Sequence, residues 1–269
     1  YKTGNTQDRL LIIIHHLCVD GISWRIILED FYNCYSDLSL NREIKLPPKT
    51  TSFKDWSSKL IEYSDSEKIE AEKEYWKSVS DAKVQKIPED FSSETNQNTV
   101  ESSSEEILIF DEQITEALLH EIPKVYNTKI NDLLLTALII AYKSWTNETR
   151  LLINLEGHGR EDLFEKTDVS RTVGWFTTIF PVLLDSGVNN NIGDIIKKVK
   201  EDLRKIPENG IGYGILRYLS SGKQISGIND DTGKPGIIFN YLGQMSDTVS
   251  KESEWKIGSR SIILSRNVT

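Results

Sequence analysis

The sequence predicts a mixed α/β fold without the regular alternation of strand and helix that marks a doubly wound sheet. An apolar run at residues 9–17 is typical of a strand that is buried on both faces. Directly after Gly21 the apolar residues recur at helical spacing, which predicts that this strand leads into a helix. Further strands and helices follow in irregular order and without internal repeats, so we expect one mixed architecture throughout.

Helices are predicted wherever apolar residues recur three and four positions apart. The second helical stretch is broken near the Ser-Asp-Ser run at residues 64–66, and the third is interrupted by Pro123. The fourth is apolar nearly all round, which indicates burial on every side. The predicted helices cover residues 21–38, 53–79, 111–126, 131–145 and 192–205.

Strands are predicted from short apolar runs between turn residues. One of them runs from residue 150 into a turn that is bracketed by Gly157 and Gly159. The others cover residues 106–110, 173–185 and 236–244.

Residues 81–106 are rich in Ser, Glu, Asn and Thr and lack apolar periodicity. Such a composition is typical of a linker between structural units. We therefore predict two lobes, one at residues 1–95 and one at residues 96–269.

Composition excludes several classes of function. The chain has 269 residues, 38% of them hydrophobic, which allows a sizeable core. Its formal net charge of -9 argues against sequence-independent nucleic-acid binding, because no cluster of Lys or Arg could displace phosphate counterions. Cys18 and Cys34 do not have the spacing of a disulfide framework or a zinc site, which fits a reducing compartment.

No apolar stretch is long enough to span a membrane, and no segment has the pattern of a signal peptide, so we expect a cytoplasmic protein without membrane contacts. Residues 9–17 have the pattern of an interior strand, with nothing before it to pair with. We therefore expect the chain to begin within a domain and to leave apolar surface exposed.

Two adjacent histidines, His15 and His16, end the first apolar run. Side chains alternate across a strand, so at most one of the two can point into a given cleft. A shared metal site is therefore disfavoured. The pattern leaves open whether His16 is functional and His15 structural, or the reverse.

Glu156 stands at the end of a predicted strand and is followed by two glycines. A sharp turn of this kind can present a carboxylate into a cleft, although a hairpin with a solvated glutamate fits the same pattern. Asn240 and Tyr241 end a later strand, and both can donate hydrogen bonds to a carbonyl or enolate oxygen. Tyr241 could equally be a packing residue.

Two catalytic or binding motifs are excluded. The glycines at residues 208–214 are not preceded by a strand and are not followed by Lys-Ser or Lys-Thr, so they do not form a phosphate-binding loop. The sequence also lacks the Gly-x-Ser-x-Gly pattern of a nucleophile elbow.

Six motifs taken together resemble the epimerization domains of nonribosomal peptide synthetases. In order they are HHLCVDGISWRII, NDLLLTAL, EGHGRE, VGWFTTIFPV, PENGIGYGIL and FNYLGQ. The wider superfamily of condensation domains, cyclization domains and chloramphenicol acetyltransferase shares only the His-His-x-x-x-Asp-Gly motif. Condensation domains usually have Trp-Ser directly after Asp-Gly and lack the EGHGRE run, whereas this chain has DGISW and EGHGRE.

The resemblance implies two acetyltransferase-like lobes in a V shape, the N-terminal one incomplete in this chain, with a tunnel between them. A peptidyl carrier domain, usually upstream in the same protein, would deliver an aminoacyl or peptidyl thioester on its 4'-phosphopantetheine. A condensation domain would act downstream. The expected reaction is reversible inversion at Cα, and the resemblance implies no intrinsic cofactor and no metal.

Inversion needs proton transfer on both faces of the carbon. On the resemblance, His16 and Glu156 are the expected acid/base pair, and Tyr241 is a third proton carrier or a donor to the enolate, with Asn240 beside it. Asp20 is expected to fix its turn through a salt bridge, and Arg160 to position the EGHGRE loop through an ion pair. Two alternatives stay open: a peptide-bond-forming condensation domain, and a noncatalytic relative that binds carrier domains.

Overall fold

The computed structural model of the chain describes residues 10–90, 99–188, 190–220 and 235–243. Its mixture of helices and strands confirms the predicted α/β class. The helices are α1 (Gly21–Ser39), α2 (Phe53–Tyr63), α3 (Glu67–Ser80), α4 (Glu112–Glu116), α5 (Ile122–Tyr126), α6 (Ile130–Thr146), α7 (Ile192–Arg204) and α8 (Ile211–Tyr218). The strands are β1 (Arg150–Gly157), β2 (Thr178–Asp185) and β3 (Ile238–Phe239).

The described residues form two compact units that interleave along the sequence. The first unit consists of residues 10–57, 164–177 and 242–243, and the second of residues 58–90, 99–163, 178–188, 190–220 and 235–241. The described parts of the predicted linker, on both sides of residues 91–98, belong to the second unit. The two lobes at residues 1–95 and 96–269 therefore stay a prediction of the sequence.

The first unit is built from α1, the start of α2 and the segment at residues 164–177. Aromatic rings form part of its core: Phe53 contacts Phe176 edge-on at a centroid distance of 5.0 Å, and Trp56 contacts Phe164 at 5.3 Å. Ile26 of α1 is buried as well. Aromatic pairs at these distances contribute beyond the apolar area that they bury, so this core fixes the 164–177 segment.

The second unit contains a three-stranded sheet in the order β2-β1-β3. Strands β1 and β2 pair antiparallel over their full length, with Glu156 opposite Ile179. Strand β3 pairs with β1 in parallel, and Phe239 lies opposite Leu155. Helix α6 packs on β1 and β2, and its Leu135 and Ile139 are fully buried. The sheet therefore places the ends of β1 and β3 side by side. Glu156 stands at the end of β1, and Asn240 and Tyr241 follow β3.

Most predicted helices are confirmed. Helices α2 and α3 are separated at residues 64–66, as the Ser-Asp-Ser run predicts. The predicted helix at residues 111–126 continues from α4 to α5 through a π-helical turn at Ala117–Glu121, just before Pro123. Proline lacks the N–H that an α-helical bond requires, so a wider turn is a common way to accommodate it.

Two predicted strands are wrong in the described structure. Residues 10–15 have no strand, and a single 3-10 turn at His16–Cys18 follows them. Residues 106–110 are also irregular. Both runs are apolar but largely exposed, with Ile13 at 83% and Ile109 at 90% exposure. A strand requires hydrogen bonds to a neighbouring strand, and apolar composition alone does not supply them.

The other strands differ from the predictions in length. The strand predicted at residues 173–185 begins only at Thr178, because the residues before it bond to the start of α1 instead. The strand predicted at residues 236–244 is reduced to Ile238–Phe239, and Gln244 lies outside the described residues. Among the described helices, none is long and apolar enough to cross a membrane.

Candidate active site

The His-His segment makes a short 3-10 turn. His15 caps this turn, because its Nδ1 accepts a hydrogen bond from the backbone N–H of Leu17 at 3.2 Å. His16 is exposed, and its ring centroid lies 5.5 Å from that of Trp175 at an angle of 56°. Side chains do not alternate here as they would in a strand, because the chain has no strand at these residues. The two side chains differ in their contacts instead. His15 accepts the local capping bond, whereas the ring of His16 contacts Trp175.

Asp20 connects this turn to α1 and to the segment that carries Trp175. Its side chain is almost completely buried and caps α1, with Oδ1 accepting from the N–H of Ser23 at 2.7 Å. Its Oδ2 accepts from the N–H of Phe176 at 3.2 Å. A carboxylate that accepts backbone bonds at a helix N-terminus is strongly held. These two bonds fix the turn, and the predicted salt bridge of Asp20 stays a prediction.

Ser23 and Gly174 hold the same segment through two further bonds. The Ser23 hydroxyl donates to the carbonyl of Gly174 at 2.9 Å and accepts from its N–H at 3.0 Å, and Ser23 is fully buried. Gly174 is required by space, because a Cβ there would lie 2.5 Å from the ring of Phe53. Neither residue is among the predicted site residues. Because Gly174 directly precedes Trp175, its two bonds to Ser23 also hold Trp175, whose ring contacts His16.

Arg171 anchors the segment further along α1. Its guanidinium bonds to Glu29 at 2.7 Å and also to Asp30. Two carboxylates on one guanidinium give a directional contact as well as charge pairing. The segment is thus attached to α1 at Asp20, Ser23, Glu29 and Asp30.

Glu156 and Asn240 meet at the edge of the sheet. Glu156 is half-buried near the end of β1, and its Oε2 accepts a hydrogen bond of 2.5 Å from the Nδ2 of Asn240. Asn240 directly follows β3, which pairs with β1 in parallel. Tyr241 is half-buried at the next position. The structure therefore brings together Glu156 and Asn240, two predicted site residues 84 positions apart.

The loop after Glu156 is stabilised within itself and from outside. Gly159 adopts φ +65°, a left-handed conformation that favours glycine. The Nδ1 of His158 accepts from the backbone N–H of Arg160 at 3.0 Å, while the predicted ion pair of Arg160 stays a prediction. Glu161 accepts a hydrogen bond of 2.6 Å from the Nδ2 of Asn209. Neither Asn209 nor Glu161 is among the predicted site residues, although they belong to the PENGIGYGIL and EGHGRE motifs.

The predicted site residues belong to different units. His15, His16 and Asp20 lie in the first, and Glu156, Arg160, Asn240 and Tyr241 lie in the second. In the part of the chain that the structure describes, no group of three or more His, Cys, Asp or Glu side chains could hold a metal ion.

Comparison with known proteins assigns the family. The profile of the condensation domain matches residues 1–265. The chain belongs to the condensation-domain family. The sequence of this condensation-family domain is 46% identical to bacitracin synthase 2 of Bacillus licheniformis over 245 residues, which is 91% of the chain and 9% of that protein. It is 41% identical to bacitracin synthase 3 of the same organism over 244 residues, 91% of the chain and 4% of that protein.

Solved structures agree with this assignment. The epimerization domain from the third module of tyrocidine synthetase B is 43% identical, with a TM-score of 0.79 over 85% of this chain and 51% of that one. The resemblance to epimerization domains is thereby confirmed. The first condensation domain of the calcium-dependent antibiotic synthetase, 13% identical with a TM-score of 0.59, covers 79% of this chain and 46% of that one and shares the fold. The condensation-family domain therefore spans about half of the solved domains that it matches.

Proposed function

We propose that this condensation-family domain epimerizes the Cα of an aminoacyl or peptidyl thioester in nonribosomal peptide synthesis. The contact between Glu156 and Asn240 carries the proposal. It joins EGHGRE and FNYLGQ, two of the six motifs that carry the resemblance to epimerization domains, into one site with a carboxylate. The 43% identity to an epimerization domain supports the same reaction.

The chemistry suits a carboxylate that is held in place. A thioester acidifies the Cα proton and collects the resulting negative charge on one oxygen, where hydrogen-bond donors stabilise it. One base removes the proton and leaves an enolate, and an acid returns a proton to the opposite face. Glu156 and His16 are the proposed acid/base pair, and Tyr241 is the proposed third proton carrier or donor to the enolate oxygen.

The surroundings of the two groups support these roles. Asn240 donates to Glu156, which stabilises the ionised form that a base requires. His16 is exposed beside Trp175, so its imidazole is accessible on the surface of its unit. His15 is engaged in capping its own turn, which favours His16 as the functional member of the pair.

The proposed partner is a peptidyl carrier domain that presents the thioester on 4'-phosphopantetheine, with a condensation domain acting next. Two relatives of this chain are named as bacitracin synthases, which supports a role in nonribosomal peptide synthesis. The proposed location of the reaction is the cytoplasm.

Chiral analysis tests the reaction. The full-length protein is incubated with an L-aminoacyl thioester on its carrier, and the released amino acid is resolved into its enantiomers. We expect a mixture of L and D forms. Recovery of the L form alone contradicts the proposal.

Condensation is the second candidate, since the His-His-x-x-x-Asp-Gly motif and the family match are common to both reactions. In that reaction His16 would orient an amine nucleophile and Glu156 would be incidental. Formation of a peptide from donor and acceptor thioesters, without D product, would favour it.

A further inference from the structure

The turn at Pro207–Gly210 has an unusual backbone. Glu208 (φ 40°, ψ 43°) and Asn209 (φ 51°, ψ 28°) are both left-handed, and Gly210 follows with φ +88°. A non-glycine residue in this region is strained and persists only where the surrounding structure enforces it. Asparagine tolerates this conformation better than most residues. Two such residues in succession indicate that the position of this turn is tightly specified.

Strand β2 specifies part of that position. A Cβ at Gly210 would lie 2.3 Å from the ring of Phe180, so the turn packs directly on this side chain. Phe180 is buried and pairs in register with Leu155 of β1. The turn therefore packs on the sheet at Phe180, whose partner Leu155 directly precedes Glu156.

Asn209 lies close to both ends of the loop that follows Glu156. Its carbonyl oxygen lies 3.7 Å from the position that a Cβ of Gly157 would occupy. Its Nδ2 donates to the Oε2 of Glu161 at 2.6 Å. Asn209 thus lies beside the start of residues 157–161 with its backbone and is bonded to their end through its side chain.

The bond from Asn209 reaches a carboxylate that is largely shielded from water. The Glu161 side chain is only 11% exposed, so its carboxylate depends on protein donors for part of its solvation. The Nδ1 of His158 lies 3.6 Å from the Oε1 of Glu161, but this nitrogen already accepts a hydrogen bond from the backbone N–H of Arg160. The Asn209 amide therefore supplies Glu161 with a donor, whereas the Nδ1 of His158 is already used as an acceptor.

We propose that Asn209 is a positioning residue that holds the loop after Glu156 and thereby sets the place of the Glu156 carboxylate. The inference rests on the proposed function, in which Glu156 transfers the Cα proton. Asn209 acts through the loop and does not touch the reacting carbon. A displacement of about 1 Å at a reacting group can cost on the order of a hundredfold in rate, so a loosened loop should lower kcat.

The test measures deuterium incorporation at Cα by the full-length protein, as kcat and KM for the carrier-bound thioester. Asn209→Gly is compatible with the left-handed backbone and removes the side chain with its amide. We expect kcat to fall about tenfold or more with KM nearly unchanged. The matched control is Asn147→Gly, since Asn147 is also left-handed (φ 63°) but caps the end of α6, and its kcat should equal that of the wild type.

A charge exchange provides the rescue. Asn209→Asp places a carboxylate against Glu161 and should lower kcat at least as much as Asn209→Gly. Combining it with Glu161→Gln restores a donor and an acceptor with their places exchanged, and kcat should recover to within about threefold of the wild type. If Asn209 had only a structural role, the thermal midpoint would change in all variants, and kcat would not recover in the double variant.

The outcomes separate the two proposals. A wild-type protein without exchange contradicts the proposed function and this inference with it. Exchange by the wild type together with full kcat in Asn209→Gly, or no recovery in the double variant, overturns the inference alone.

Discussion

The Asn240 side-chain amide donates a hydrogen bond of 2.5 Å to the carboxylate of Glu156. A donor of this kind favours the ionised carboxylate, whereas a second carboxylate disfavours it. Asn240→Asp should therefore shift the acidic limb of the pH-rate profile for Cα exchange to higher pH. The rate is measured between about pH 5 and 9. Asn147→Asp, a change at the end of α6, is the control and should leave the profile in place. An unchanged profile in Asn240→Asp would show that the contact does not govern the base.

Ser23→Ala should destabilise the protein by about 2 kcal/mol, because it leaves the buried N–H and carbonyl of Gly174 without the hydroxyl. Denaturant unfolding measures the change. Ser78→Ala is the control, since Ser78 is exposed and bonds only to the preceding turn of its own helix in the contacts described. Its effect should stay within about 0.5 kcal/mol. Equal effects of the two substitutions would argue against the role of Ser23.

Two glycines of α8 should respond oppositely to alanine. A Cβ at Gly212 would lie 1.9 Å from the Oε2 of Glu72, whereas one at Gly214 meets nothing within 4 Å. Gly214→Ala should stabilise the protein by up to about 1 kcal/mol, since alanine is the better helix former. Gly212→Ala should destabilise it by about 1–3 kcal/mol through overpacking. Thermal unfolding distinguishes the two, and stabilisation by both would mean that Glu72 moves freely.

Glu72 itself should make stability depend on pH. Burial raises the pKa of its carboxyl above the ordinary value near 4.5, although a hydrogen bond of 2.8 Å from the Trp76 indole opposes this. Between the ordinary and the raised pKa the folded state holds a proton that the unfolded chain has lost. Stability from this source therefore falls as pH rises through that window.

Glu72→Gln removes this dependence and keeps an acceptor for Trp76. The difference in thermal midpoint, variant minus wild type, should increase as pH rises above about 4.5. It should become constant once Glu72 is ionised in the folded state. Glu74→Gln, on the exposed face of the same helix, is the control. A difference that shrinks with rising pH would contradict the burial argument.

The sequence predicted elements whose signal is local. Helix α6 and strand β1 follow from apolar patterns of adjacent residues, and the break between α2 and α3 follows from a Ser-Asp-Ser run. Glu156 and Asn240 each end an apolar run, and their roles as site residues come from the resemblance to epimerization domains. These predictions required no knowledge of which segments pair.

Contacts across long separations could not be predicted in this way. Ser23 and Gly174 are 151 residues apart, and their reciprocal bonds arise only once α1 and the 164–177 segment have folded together. The bond from Asn209 to Glu161 likewise depends on a left-handed turn packed against β2. The exposed apolar runs at residues 10–15 and 106–110 show the reverse error, because each has a strand pattern but pairs with no strand among the residues that the structure describes.

Exchange of the Cα proton tests the central claim most directly. The full-length protein, given an L-aminoacyl thioester on its carrier in deuterated water, should incorporate deuterium at Cα and approach a mixture of L and D forms. Glu156→Gln keeps size and hydrogen bonding but removes the base, so exchange and inversion should both fall by about a hundredfold or more. His16→Ala should abolish inversion, while some exchange from one enantiomer survives if Glu156 alone can deprotonate. Full inversion activity in Glu156→Gln, or a wild-type protein that forms peptide bonds without exchanging the proton, would contradict the account.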